Sequence, residues 1–137
     1  MDGLSGVASI IAVVQIAASV ISYLKDIKDA PKECRMCMVE ISNSSTLLLK
    51  LDLHLSESSS QERWVAEVQD LAVKDGPLHQ YQQALQHLRA KVESKSKVRK
   101  LVNALTWNFI KEDVASLLGR MERLKRLVSV ALEMDSL

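Results

Sequence analysis

Residues 3–24 read GLSGVASIIAVVQIAASVISYL, a run with no charged side chain between Asp2 and Lys25, in which 15 of the 22 residues are apolar. As a helix rising ~1.5 Å per residue, it is about as long as a bilayer's hydrocarbon is thick, roughly 30 Å. Its polar members are spaced rather than scattered. Ser5, Ser9, Gln15, Ser19, Ser22 and Asp26, with Ala12 filling the gap, recur every three or four residues and mark one narrow stripe along a helix. The rest of the cylinder is Val, Ile, Leu or Ala. Such a helix is either the central element of a helical bundle or a segment able to enter lipid, and the choice between the two is the choice of function. A secretory signal is a poor fit, because Met1-Asp2 supplies no basic n-region and the apolar run is long. A permanent span is also a poor fit. Five hydroxyl or amide side chains and two glycines dilute the run, and no basic stop-transfer cluster follows Leu24.

Working outward, 137 residues with 47% hydrophobic content fit a single domain spanning residues 1–137. Two prolines, four glycines and no strand-length alternation of Val, Ile and Thr give an all-α class. The expected architecture is an up-and-down bundle of four to five helices with a hydrophobic N-terminal helix at or near its centre. The first helix should run from Leu4 to about Lys28, and Asp29-Ala30-Pro31 should end it, with Pro31 opening the second. The second reaches roughly Leu55 with Cys34, Cys37/Met38, Ile41, Leu48, Leu51 and Leu55 as one buried seam. A third, behind the serines of 56–60, carries Trp64, Val68, Leu71 and Ala72. Asp75-Gly76-Pro77 makes a turn, after which Leu78, Tyr81, Leu85, Leu88 and Val92 keep core spacing. Val98, Leu101, Val102 and Leu105 suggest that the chain stays helical or resumes quickly. The last helix is expected from Glu112-Asp113, whose charge suits a helix N-terminus. Val114, Leu117, Met121, Leu124, Val128 and Ala131 form its seam, widened by Leu118, Leu127, Val130 and Leu132.

The net charge of +1 is unevenly placed. Residues 1–90 carry 8 basic and 11 acidic groups, net −3, and residues 91–137 carry 10 and 6, net +4. Lys91, Lys95, Lys97, Arg99 and Lys100 make a basic stretch relieved only by Glu93. It is either a solvated face or a contact for anionic lipid, worth ~1 kcal/mol per basic side chain near the surface. With no interleaved aromatics and no recognition-helix signature, nucleic acid is not an expected partner. Cys34-x-x-Cys37 could be a zinc half-site or a redox pair. It lacks a second pair, and His54, His79 and His87 stand at no ligand spacing, so two small hydrophobes on a helix face is the simpler reading. Thiols of that kind suit a reducing cytosol. No phosphate-binding, dinucleotide, nucleophile-elbow or zinc-protease motif occurs, and Glu122 and Arg126 sit as a surface i,i+4 pair. Neither an enzyme nor a cofactor is expected.

Two end motifs carry a family resemblance. Met1-Asp2-Gly3-Leu4-Ser5 with Ala8-Ser9-Ile10-Ile11-Ala12-Val13-Val14-Gln15 resembles the opening of the fungal HeLo-like domains found at the N-termini of STAND-type NACHT and ankyrin-repeat receptors. Leu105-Thr106-Trp107, Lys111-Glu112-Asp113-Val114, Leu117-Leu118, Met121-Glu122-Arg123-Leu124-Lys125 and Ala131-Leu132 to Asp135 resemble the same group's closing helix. Residues 31–95 match in pattern only, and Asn108 stands where the group would carry a proline after the tryptophan. The resemblance implies a cell-death effector bundle, akin to the executioner bundles of necroptosis and to plant RPW8-like domains. It implies a resting place in the cytoplasm and movement to the plasma membrane on activation, with self-association, anionic lipids and a regulatory STAND region or receptor, in cis or trans, as partners. On this view Leu4, Val7, Ile10, Ile11, Val14, Ile16, Val20 and Ile21 enter the membrane. Ser5, Ser9, Gln15 and Ser19 form the polar stripe turned to neighbours or water. The alternative is a non-lytic module that docks to other bundles or adaptors while its first helix stays in the core.

Overall fold

A computed structural model describes residues 2–27, 30–57, 76–99 and 104–135, and within them the side chains of 10–27, 30–56, 76–93 and 107–133. The described residues form four helices and no strand: α1 (Asp2–Lys25), α2 (Lys32–Glu57), α3 (Pro77–Arg99) and α4 (Ala104–Asp135). The helix expected around Trp64, Val68, Leu71 and Ala72 lies outside the described residues.

The helices form where their apolar residues recur at three and four and end where the chain offers other partners. α1 stops at Lys25, three residues before the expected Lys28, because the amides of Asp26 and Ile27 turn back onto the carbonyls of Tyr23 and Leu24 (both 3.2 Å). Ile27 folds under and is buried. Pro31 immediately precedes α2, and its carbonyl accepts the Cys34 amide at 3.0 Å. Pro77 is the first residue of α3, where its missing N–H costs nothing, and the Gly76 carbonyl accepts from Gln80 at 2.9 Å. α4 begins two turns earlier than expected. It runs unbroken through Trp107 and Asn108, since the residue that is not proline lets the ladder continue.

Among the described residues, each helix packs chiefly on two neighbours: α1 on α2 and α3, α4 on α2 and α3. The Cys34 thiol lies 3.9 Å from the Leu24 carbonyl, so the start of α2 sits beside the end of α1. Lys91 meets Asp113 while Arg120 reaches the Gln80 carbonyl, so α3 and α4 are antiparallel. Tyr23 near the end of α1 donates to Glu93 near the end of α3, so those two run the same way. The result is two antiparallel hairpins side by side, joined through parallel contacts. Among the described helices α1 occupies one corner of this square, not its centre.

One core fills the square. It takes Ile10, Val13, Ile16, Ala17, Val20 and Leu24 from α1, and Cys34, Cys37, Ile41, Leu48 and Leu51 from α2. α3 adds Leu78, Tyr81, Leu85, Leu88 and Val92, and α4 adds Ile110, Val114, Leu117, Met121, Leu124, Val128 and Ala131. The seams of α2, α3 and α4 are as expected, except that Leu55 is only partly buried at the edge of the core and Ile110 is added. Leu118 and Leu132 pack at the edge, as does Trp107, whereas Leu127 and Val130 are exposed. The reason is stagger. Arg120 already stands opposite Gln80, one turn from the start of α3, and α4 continues to Asp135 with no turn of α3 beside it.

Candidate functional site

α1 has two faces of different character. Inward it is wholly apolar. Outward it presents Ile11, Gln15, Ala18, Ser22 and, at its last turn, Lys25 to solvent, with Ala12 and Ser19 half-buried at the margin. The expected membrane-entering set is therefore divided. Ile10, Ile16 and Val20 are core residues, Val14 and Ile21 pack partly against the core, and only Ile11, 38% exposed, faces water. Of the polar stripe, Gln15 is exposed and Ser19 half-buried. The side chains of Leu4, Ser5, Val7 and Ser9 lie outside those described. Among the described residues no helix is long and apolar enough to cross a membrane. For α1 the described side chains begin at Ile10, and the length from there to Lys25 is ~24 Å, short of the ~30 Å hydrocarbon.

The basic stretch is likewise not one surface. Lys91 is engaged within the bundle: its ammonium touches the Asp113 carboxylate, donates to the Phe109 carbonyl at 3.3 Å, and stands 4.5 Å over the Phe109 ring. With its side chain 30% exposed, Lys91 ties α3 to α4 in this structure. Lys95, Lys97 and Arg99 are on helical backbone continuing from it, but their side chains, and Lys100 altogether, lie outside those described. Asp113, expected to cap a helix, instead bridges two elements, with His87 Nε2 3.1 Å from its other oxygen. Beside this cluster an open cleft of about 220 Å³ is lined by Gln83, Ala84, His87, Asp113, Ser116 and Arg120.

Both cysteines are free and buried. Burial raises both thiols, Cys37 up to about 12, with Cys34 and Glu40 adding to it. A neutral thiol in an apolar wall is a packing group. Among the described residues no group of three His, Cys, Asp or Glu is placed to hold a metal ion. Deeper in the core the Tyr81 phenol crosses from α3 towards Ser44 and Cys37 of α2, and burial pushes its pKa above the usual tyrosine range. The Tyr81 and Ser44 hydroxyls face one another without a hydrogen bond of standard geometry.

Two features escaped the sequence reading. Lys125 reaches Glu40 across the α2–α4 contact at 3.0 Å and lies 3.8 Å from Glu122, so Glu122 pairs at i,i+3 and not with Arg126. The outer side of α2 exposes Met36, Val39, Leu49 and Leu53, each more than two-fifths accessible. The signal for the second was present as a second three-four rhythm, out of phase with the buried one.

Comparison with known proteins adds no relative. No family model, curated protein or solved structure matches this chain.

Proposed function

We propose that this chain is a membrane-targeting cell-death effector bundle of the HeLo-like kind, serving a fungal immunity or incompatibility receptor and acting by oligomerisation and entry of α1 into lipid. The observation that carries this reading is the outer face of α1. From Ile11 to Ser22 the outward row of Ile11, Gln15, Ala18 and Ser22 faces water without a charge, the first coming only at exposed Lys25 in the last turn, whereas the exposed surface of α4 carries Lys111, Glu112, Arg120, Glu122, Arg123, Arg126 and Glu133. Packing explains why the inner face of a helix is apolar. It does not explain an uncharged outer face, which costs solubility and becomes useful only where water is absent. The opening and closing motifs that resemble the HeLo-like group support the same reading.

At rest α1 is held by its burial. Stripping Ile10, Val13, Ile16, Val20 and Leu24 into water would cost about 8–15 kcal/mol, comparable to the whole stability of a domain this size. Release into water is therefore closed, and release into hydrocarbon, which returns the apolar transfer energy, is the open route. Because Gln15 and Ser19 cannot face lipid alone at low cost, entry requires an assembly in which they meet neighbours or water. Receptor-driven clustering supplies that assembly.

The test uses Ile11→Asp, preferable to a change at half-buried Val14 because Ile11 is exposed and the bundle should keep its melting temperature. Forced clustering of the wild-type chain should make anionic liposomes leak. The variant should not, since an aspartate at the centre of an inserted helix costs ~2.5–3.5 kcal/mol on insertion scales. Undiminished leakage by folded Ile11→Asp, or none by the wild type, rejects the membrane reading. The burial of α1's inner face favours, in that event, a non-lytic docking module whose first helix stays in place.

A further inference from the structure

We infer that α2 carries a second helix-pairing seam, on its outer side, through which two copies of this chain associate antiparallel. Lys32, Arg35, Val39, Ser42, Thr46, Leu49, Leu53 and Ser56 step by three and four without a break, and all eight are exposed. That is the a/d rhythm of a coiled-coil seam, and it runs opposite the buried row of Cys34, Cys37, Ile41, Ser44, Leu48 and Leu51. One helix thus has two seams, one of them uncovered.

Two hydroxyls of the row are already satisfied inside α2. Thr46 Oγ1 donates to the Ser42 carbonyl at 3.2 Å and Ser56 Oγ to the Leu53 carbonyl at 3.0 Å, which lowers the cost of removing water from the row. From Val39 to Leu49 the row contains no charge.

The row fits itself when reversed. Antiparallel helices set a positions against d positions, and a two-fold axis level with Ser44 places Val39 against Leu49 of the second copy and Ser42 against its Thr46. The same axis sends the Lys32 and Arg35 end of each helix to the far end of the other. A parallel pairing would stack Lys32 and Arg35 each on its own image, which like charges oppose, whereas the antiparallel one also places opposite ends of the two helix dipoles side by side. A different protein would need its own matching seam; a second copy needs nothing further. The uncharged stretch from Val39 to Leu49 is ~15 Å long, too short to reach the ~800 Å² per partner of a standard interface. The contact is consequently weak, forming where copies are already concentrated. The executioner reading requires that copies meet but says nothing of how, and this contact is measured without membranes, so each can fail alone.

Sedimentation velocity of the full chain from micromolar to millimolar concentration tests it. The wild type should shift towards a dimer, and Leu49→Lys, at an exposed site with its melt unchanged, should weaken the association by roughly tenfold or more because an unpaired ammonium would be buried. Under mild oxidation Asn43→Cys, which meets its own image on the antiparallel flank, should cross-link, and Arg35→Cys should not. A monomer at every concentration, a dimer indifferent to Leu49→Lys, or cross-linking at Arg35→Cys in place of Asn43→Cys each overturns the proposal. So does a Leu49→Lys chain that self-associates normally but no longer binds liposomes, which would make the row a lipid face.

Discussion

At the scale of single residues, the buried pair Tyr81 and Ser44 is the place where the core gives up stability. Neither hydroxyl completes a standard hydrogen bond, and a buried polar group left unsatisfied costs ~1–3 kcal/mol. The double change Ser44→Ala with Tyr81→Phe should therefore leave the fold intact and hold or raise the melting temperature, unlike most core substitutions. A clear drop would mean that the two hydroxyls bond in solution. Gly119 makes the complementary case on the surface of α4, where an added Cβ would meet nothing within 4 Å. Gly119→Ala should stabilise by about 0.4–1 kcal/mol through the unfolded chain, read as a rise of a few degrees in a thermal melt.

At the scale of elements, the two thiols report on α1. Cys34 lies against the Leu24 carbonyl and both thiols are buried and protonated, so alkylation at neutral pH should be slow in the resting bundle. It should quicken when clustering on liposomes draws α1 away. Labelling that stays slow while liposomes leak would show that leakage occurs with α1 in place. The same burial sets an alkaline limit. Cys37 has a folded pKa near 12 against an ordinary value near 9, so the folded state holds its proton longer than the unfolded one. Its contribution is full below pH ~9 and lost as pH rises from there through 12, and Cys37→Ala should flatten that part of the stability curve. The elements themselves were legible in unequal measure. The seams of α2, α3 and α4 stood out because every inward position but Ser44 is apolar at a strict three-four spacing. The start of α4 did not, because Glu112-Asp113 looks locally like a helix N-terminus while Asp113 has partners, Lys91 and His87, 22 and 26 residues away. Leu127 and Val130 were misplaced for a similar reason: their exposure depends on where α3 begins, which no local pattern in α4 records. In α1 the periodicity located the polar stripe but not which apolar residues face the core, because nearly every other position is apolar too.

At the scale of the whole molecule, four seams close around one core, so a loss in any of them is felt by all. Leu124 is 1% exposed near the middle of α4, and Leu124→Ala should cost about 2–5 kcal/mol, a large share of the stability of such a domain and readily seen as a lowered denaturation midpoint. The order of the helices in the chain has a consequence in time. α1 is covered on one flank by α2, its immediate successor, but on the other by α3, whose Val92 and Glu93 lie some seventy residues further along. At a synthesis rate of ~5–20 residues per second, α1 emerges from the ribosome several seconds before its second wall exists. During those seconds the most apolar and least charged segment of the protein is also the least protected. Nascent chains stalled near residue 60 should bind chaperone or vesicles far more than chains stalled beyond residue 137 on a linker. A cell making this protein has to guard it first against its own translation.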